Sequence, residues 1–335
     1  MDELFFEELE LSSPKYKLSI KSSAPFRQGE HTGKMLIAIE EILLKEKPNL
    51  VFAHGDTNTA LAASLVASKI TTTSSYTGRV IKLAHLEAGL RSFDTSMPEE
   101  INRKIIDHLS NYLFPPTEIA KKNIINEGIS NVHTIITGNT IVDSVYQNII
   151  LSEEKCDVLD RFQLEKSGYF LVTVHRQECV DNKKRLQNVI HSLGLISKNY
   201  LKPVIFPMHP RTKKMIDMFK IIIPKGLMII EPVGFLEFLQ LESNALLNLT
   251  DSGGVQEESC ILNVPCVTLR NNTERPETIN CGSNIIAGYN PKKIVSSVEK
   301  MLSFNRGWKN PFGNGKASET IIKYIINNEK SDYVY

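Results

Sequence analysis

Short apolar runs alternate along this chain with longer segments whose apolar residues recur at helical spacing. The run 50–53, Leu-Val-Phe-Ala, predicts a buried strand that breaks at Gly55-Asp56. Segment 57–69, rich in Ala, Leu and Ser, predicts the helix that follows. The theme repeats with a strand at 80–85, a helix at 99–110 opened by Pro98, a strand at 111–114, a helix at 117–127, a strand at 132–137 and a helix at 139–148. A polar loop is expected at 71–78. The charged stretch 151–165 reads as a linker. Beyond it a second series places strands at 169–174, 203–208, 226–230, 245–250 and 265–269. Helices are expected between them at 183–197, 212–221, 235–243 and 255–262. Such alternation argues for an α/β chain made of two doubly wound domains, each a parallel sheet covered by helices. The acidic opening Met1-Asp2-Glu3-Leu4 is helix-like, whereas a doubly wound domain usually opens on an apolar strand and a glycine turn. Either the first strand is absent or the sequence begins part-way through a domain.

Composition narrows the function classes. A chain of 335 residues is longer than one core usually serves, so two domains are the default. It is 41% apolar and 23% charged with a formal net charge of +1, which gives no basic excess for nucleic acid. No apolar run approaches the roughly 20 residues that span a bilayer, and the acidic start is not a secretory signal. The five cysteines, Cys156, Cys179, Cys260, Cys266 and Cys281, lack CxxC spacing. They read as free thiols of a reducing cytoplasm, with no zinc site.

The chemistry gathers just after the predicted strands. His85-Leu86-Glu87-Ala88-Gly89-Leu90-Arg91 and Met97-Pro98-Glu99-Glu100-Ile101-Asn102-Arg103 crowd ionisable groups around a glycine turn. Asp56, Glu87 and Glu99 are the candidate acids and bases, because neighbouring carboxylates push each other's pKa values apart. Salt bridges compete as explanations: Asp56 as a helix cap, Glu87 with Arg91, and Glu99 with Arg103 four residues on. Glu100 is assigned a structural or capping role. His175-Arg176 suits a diphosphate, the alternative being an ion pair of Arg176 with Glu178. Met208-His209-Pro210-Arg211 is a weaker candidate, read as a surface turn. Asp251-Ser252-Gly253-Gly254 before a helix suggests an anion site, and Glu258 one turn on could accept hydrogen bonds from a ribose diol. Arg270 and Thr273-Glu274-Arg275-Pro276-Glu277 add charge nearby. Because ligands of such sheets sit beyond the strand ends, these motifs point to one cleft shared by both domains.

In series and in order, these motifs resemble the non-hydrolysing UDP-N-acetylglucosamine 2-epimerases, with Pro116-Thr117-Glu118 and Thr137-Gly138-Asn139-Thr140 also matching. The resemblance implies two Rossmann-like domains of glycosyltransferase-B-like architecture with a shared cleft. They would be residues 1–150 with a crossing helix at 317–328, and a UDP-binding domain at 151–316. It implies interconversion of UDP-GlcNAc and UDP-ManNAc through anti elimination of UDP and a 2-acetamidoglucal, supplying ManNAc-type sugars for surface polysaccharide. Neither NAD nor a metal is implied, and the family is usually a cytoplasmic homodimer. Carried over by motif, Asp56, Glu87 and Glu99 are the acid/base carboxylates, and His175 is needed for turnover. Arg103, Arg176, Ser252, Gly253, Gly254 and Arg275 are substrate or diphosphate contacts, Glu258 binds ribose, and Phe238 sits in the loop that meets uracil. The family's opening strand with its Gly-Thr-Arg-Pro-Glu turn has no counterpart here, and Cys179 stands where Asn is common. Two other readings stay open: a 2-epimerase for another UDP-2-acetamido sugar, and a truncated homologue that binds UDP without catalysis. A glycosyltransferase of the same architecture is disfavoured by the carboxylate cluster.

Overall fold

The computed structural model describes residues 6, 8–20, 27–70, 81–95, 97–129, 133–304 and 306–331. The acidic opening at 1–4, the polar loop at 71–78, and Val80 and Val132, which begin two predicted strands, lie outside them. The chain forms two compact units, Ser13–Asn139 with Lys316–Tyr335, and Met1–Ser12 with Thr140–Gly315. Among the described residues no helix is long and apolar enough to cross a membrane.

In the first of these units, strands β1 (Leu50–His54), β2 (Lys82–Leu86) and β3 (Tyr112–Phe114) form a parallel sheet in that order. Parallel neighbours need crossovers, and helices Asn58–Ala67 and Pro98–Leu109 supply them. Thr57 caps the first, its hydroxyl accepting from the Ala60 N–H at 3.1 Å, so Asp56 is not the cap. Helix Gln28–Glu46, which the apolar pattern left unread, packs Ile39 and Leu43 with Ala53, Ala60, Ala67 and Leu83. On the other face the C-terminal helix Ala317–Ser331 buries Ile321 and Ile325 with Ala84, Tyr112 and Phe114. Its Tyr324 ring meets those of Tyr112 and Phe114 edge-on. The strand expected at 132–137 reduces, in its described part, to a bridge between Thr134 and Leu113.

The other unit holds a six-stranded parallel sheet of β4 (Phe170–Thr173), β5 (Val204–Pro207), β6 (Leu227–Ile230), β7 (Leu247–Thr250), β8 (Cys266–Thr268) and β9 (Asn284–Ile286). Their order is β6-β5-β4-β7-β8-β9. Phe170, Leu171 and Val172 of β4 and all of β7 are buried, as strands covered on both faces must be. The chain winds outward from β4 in one direction and from β7 in the other, so the β4/β7 border is the switch point where such sheets bind ligands.

Segment 151–165 is not a linker. Helix Thr140–Lys155 runs into it and helix Val158–Arg161 follows. The buried Ser152 hydroxyl donates to the Leu236 carbonyl at 2.6 Å, and Val158 is fully buried. Helix Thr140–Lys155 therefore clusters with the second half of the chain, its Val142 and Val145 packing on Leu239, Cys260 and Phe312. The contact boundary falls at Thr140 instead of about 150. Residues 1–12 belong there too: the Glu8 carboxylate accepts the N–H groups of Phe235 and Leu236, at 3.0 and 2.7 Å. An anionic cap suits the positive end of helix Phe235–Ser243.

Candidate active site

The carboxylates gather at the C-terminal ends of β1 and β2. The Gly55 N–H donates to the Leu86 carbonyl at 3.1 Å, which ties the turn carrying Asp56 to the turn carrying Glu87. His85, wholly buried, spans the same gap: Nε2 meets the Gly55 carbonyl at 3.0 Å and Nδ1 meets Asp107 Oδ1 at 2.6 Å. Both ring nitrogens are thus engaged, one by a backbone carbonyl and the other by a carboxylate. Asp107 also accepts from the Gly89 N–H at 3.0 Å and Arg91 Nη2 at 2.7 Å. Burial pushes the Asp107 carboxyl up, but the charges and hydrogen bonds of His85 and Arg91 outweigh it and hold it below its ordinary value. This buried cluster sets the shape of the turn after β2. Gly89 has φ +80°, and a Cβ there would lie 2.1 Å from the Ala120 carbonyl oxygen, so only glycine fits.

Glu87 itself has φ +68°, a left-handed conformation uncommon for a side-chain-bearing residue. Such backbone persists only where its surroundings impose it, and it clusters at functional sites. The Glu87 carboxylate lies 3.4 Å from His54 Nε2, and that hydrogen bond raises the His54 pKa. Asp56 is held by Arg103, whose Nε and Nη2 lie 2.9 and 2.7 Å from Oδ2. The other arm of the Arg103 fork reaches Glu100 at 2.7 Å. Glu100 is buried and accepts from the Ser92 and Phe93 N–H groups at 2.9 and 3.1 Å. Burial would raise its pKa, but Ser92 and Arg103 bring it below the ordinary carboxylate value. Glu99, in the first turn of helix Pro98–Leu109, is half-buried, and among the described residues no partner holds its carboxylate. Arg91 pairs with Asp107 and Glu127, and Arg103 with Asp56 and Glu100. Neither local bridge foreseen for Glu87 or Glu99 forms with these arginines.

The second set sits at the β4/β7 border. The Asp251 carboxylate, fully buried after β7, accepts the backbone N–H groups of His175 and Arg176 after β4, the closest contacts being 3.0 and 2.8 Å. His175 Nδ1 lies 3.3 Å from Asp251 Oδ1, and burial lowers the His175 pKa, keeping the ring neutral near pH 7. Arg176 faces Glu274 at 3.8 Å, and Glu178 lies 3.6 Å from Arg270, so the Arg176–Glu178 pair does not form. Helix Gly253–Ile261 starts here, and the Ser252 side chain makes no cap bond to it. At Gly253 a Cβ would lie 2.4 Å from Glu274 Oε1, so a side chain there would have to displace that buried, ion-paired carboxylate. At Gly254 the nearest protein atom would be Ser252 Oγ at 3.9 Å, so nothing in the chain forbids a side chain there. An open surface of backbone N–H groups at a helix N-terminus is what an anion requires.

Further along that helix Glu258 faces Glu242, and among the described residues no cation pairs with either. Glu242 is fully buried, accepts from Ser259 Oγ at 3.0 Å, and has its pKa pushed well up by burial and then by Glu258. Burial likewise raises Glu258 to about 7. Arg275 is buried with Nε 2.7 Å from Glu257 Oε2. Phe238 lies in helix Phe235–Ser243, not in a loop, and is partly buried against the apolar cluster that holds Val158, Tyr169, Ile230 and Leu241.

Sequence reasoning missed three organising acids. Asp107 left a trace, since Glu100, Arg103 and Asp107 recur on one face of a helix whose buried side is polar. Asp251 is read only as the opening of the anion motif, yet its carboxylate binds the loop after β4, a strand far away in sequence. Glu242 left no signal, because a buried glutamate reads like an exposed one.

A family model for UDP-N-acetylglucosamine 2-epimerase matches residues 1–326. A UDP-N-acetylglucosamine 2-epimerase of Methanocaldococcus jannaschii is 54% identical over 97% of this chain and 87% of its own length. A UDP-2,3-diacetamido-2,3-dideoxy-D-glucuronate 2-epimerase of Pseudomonas aeruginosa is 38% identical over 97% and 87%. The crystal structure of the M. jannaschii UDP-GlcNAc 2-epimerase in complex with UDP-GlcNAc and UDP superposes with a TM-score of 0.88, covering 97% of this chain and 88% of that one.

Proposed function

Since the chain belongs to the non-hydrolysing UDP-N-acetylglucosamine 2-epimerase family, we propose that it is the isomerase that interconverts UDP-GlcNAc and UDP-ManNAc by elimination and re-addition of UDP. The observation that carries this reading is the pair of carboxylates at adjacent strand ends, Asp56 clamped by Arg103 and Glu87 on left-handed backbone beside His54. A general base among Asp56, Glu87 and Glu99 removes the C2 proton of the sugar. The C–H electron pair becomes the C1–C2 double bond of a 2-acetamidoglucal, and the C1–O bond breaks with its electrons leaving on UDP. Re-addition reverses these steps, with the proton delivered to C2 from the other face by a second carboxyl group.

The nucleotide half of the reading rests on the second set. The N-terminus of helix Gly253–Ile261, with Ser252 and Gly254, takes the diphosphate, assisted by Arg176 and His175. Glu258 takes the ribose. Arg103 and Arg275 are buried in ion pairs, so their role is to hold Asp56 and Glu257 in place. Such an enzyme would supply ManNAc-type sugar nucleotides for surface polysaccharide.

Incubating the protein with UDP-GlcNAc in deuterated water and following C2 by NMR tests the proposal. Deuterium at C2 and the appearance of UDP-ManNAc are expected, with loss of both in Asp56→Asn and Glu87→Gln. The UDP-diacetamidoglucuronate substrate is offered in parallel, since a relative acts on it. UDP binding by calorimetry without C2 exchange in UDP-GlcNAc would refute the reading.

A further inference from the structure

Two of the five free cysteines form a pair. Cys260, on helix Gly253–Ile261, is buried, and its Sγ lies 3.7 Å from Sγ of Cys281. Cys281 ends helix Pro276–Asn280 and is only partly buried. Its sulfur also lies 3.4 Å from Ser283 Oγ and 3.4 Å from the Thr278 carbonyl. Beside it opens a hollow of about 320 Å³, lined by Cys281, Gly282, Phe304, Gly307 and Trp308, which gives a small reagent a way in. The Trp308 indole donates to the Cys260 carbonyl at 2.9 Å.

The surroundings divide the labour between the two sulfurs. The hydrogen bond from Cys260 lowers Cys281 to about 6; burial opposes it and the hydrogen bonds on the Ser283 side add to it, and a lowered thiol is the more reactive one. Cys260 is pushed up by the same hydrogen bond and by burial. Cys179 and Cys266 are buried and raised, and Cys156 is raised by burial and nearby acids. An accessible, acidic thiol beside a protected one is the arrangement of an attacking and a resolving cysteine.

We propose that Cys260 and Cys281 are a peroxide-reactive dithiol that closes into a reversible disulfide. The Cys281 thiolate attacks one oxygen of hydrogen peroxide, an S–O bond forms, the O–O bond breaks, and hydroxide leaves to become water. Cys260 sulfur then attacks the sulfenic sulfur, the S–S bond forms, and hydroxide departs with the Cys260 proton as a second water. Two thiols are oxidised, one peroxide is reduced, and a thiol reductant reverses the bond. Closure draws the sulfurs together by about 1.6 Å, a shift within reach of side-chain rotation and a small movement at the end of a five-residue helix. The bond would join the helix that begins at the anion turn to the segment following Arg275.

The test treats the full chain with hydrogen peroxide, blocks remaining thiols with maleimide, and maps the cysteines by mass spectrometry. A peptide pair linked through Cys260 and Cys281, lighter by two hydrogens and restored by dithiothreitol, is expected. Before oxidation, Cys281 should alkylate about tenfold faster than Cys156 at pH 7. Cys260→Ser should leave a sulfenic acid on Cys281 that dimedone traps, and Cys281→Ser should leave Cys260 unmodified. The wild-type mapping decides alone should either variant fold poorly. Both thiols remaining free under peroxide, or Cys156 being oxidised first, would overturn the proposal.

Discussion

The Arg103 guanidinium grips one oxygen of Asp56 with two nitrogens, at 2.9 and 2.7 Å, while its third nitrogen holds the buried Glu100 at 2.7 Å. One planar fork thus fixes a carboxylate proposed to move protons against one that is purely structural. Lysine keeps the charge but cannot reproduce the fork. Arg103→Lys is expected to fold yet lose about 10²-fold in kcat, with UDP affinity unchanged, because Asp56 is no longer aimed. Steady-state kinetics beside a thermal melt measures both, and wild-type turnover in a folded variant would show that the fork is dispensable.

The two glycines of the anion turn should separate structure from binding. Gly253→Ala drives a Cβ into the buried, ion-paired Glu274 and is expected to cost about 1–3 kcal/mol of stability. Gly254→Ala meets no protein atom closer than 3.9 Å, and alanine favours helix, so stability should hold or rise by up to about 1 kcal/mol. UDP affinity of Gly254→Ala should nevertheless fall about tenfold, the added methyl standing where phosphate oxygens approach the backbone. Calorimetry decides, and undiminished affinity in Gly254→Ala would place the diphosphate elsewhere.

Glu242 and Glu258 make stability depend on pH. Both carboxyls are raised, so the folded protein retains protons that the unfolded chain releases around pH 4.5. Their contribution is complete below that pH and is lost as pH rises through the folded value, about 7 for Glu258. The wild-type protein is expected to lose at least about 2 kcal/mol between pH 5 and pH 8 from this pair. Glu242→Gln, which keeps the shape without the proton, should flatten that decline. Denaturant titrations at the two pH values give the answer, and parallel declines in both proteins would contradict the pairing.

Asp107 binds both His85 and Arg91 inside the first-half unit, at 2.6 and 2.7 Å. Asp107→Ala leaves the buried Arg91 with Glu127 alone, the buried His85 ring without its carboxylate partner and the Gly89 N–H without its acceptor. A loss of about 3–5 kcal/mol is expected by urea denaturation. A loss below about 1 kcal/mol would mean that water or Glu127 replaces it.

Most β and α segments were legible because parallel strands buried on both faces read as unbroken apolar runs between punctuating turns. Helix 235–243 was read to its ends, and Pro98 marked its helix start. Helix Gln28–Glu46 was not read, and 151–165 was mistaken for a linker because its exposed charges outnumber Ser152 and Val158, the residues that tie it down. The site motifs were legible as residue types at strand ends, but the partner of each charge was not. Local spacing suggested Glu87–Arg91 and Glu99–Arg103, whereas Glu87 meets His54, Arg91 pairs with Asp107 and Glu127, and Arg103 joins Glu100 of its own helix to the remote Asp56.

The amino-acid order alone determined the alternating architecture, the turns that carry the ionisable groups and the family, since periodicity and motif order are properties of the linear chain. Only the folded structure decided which carboxylate is clamped, which is buried without a cation, and which two of five thiols meet. Those outcomes depend on desolvation and on distances of a few ångströms between segments remote in sequence, and spacing along the chain does not encode them.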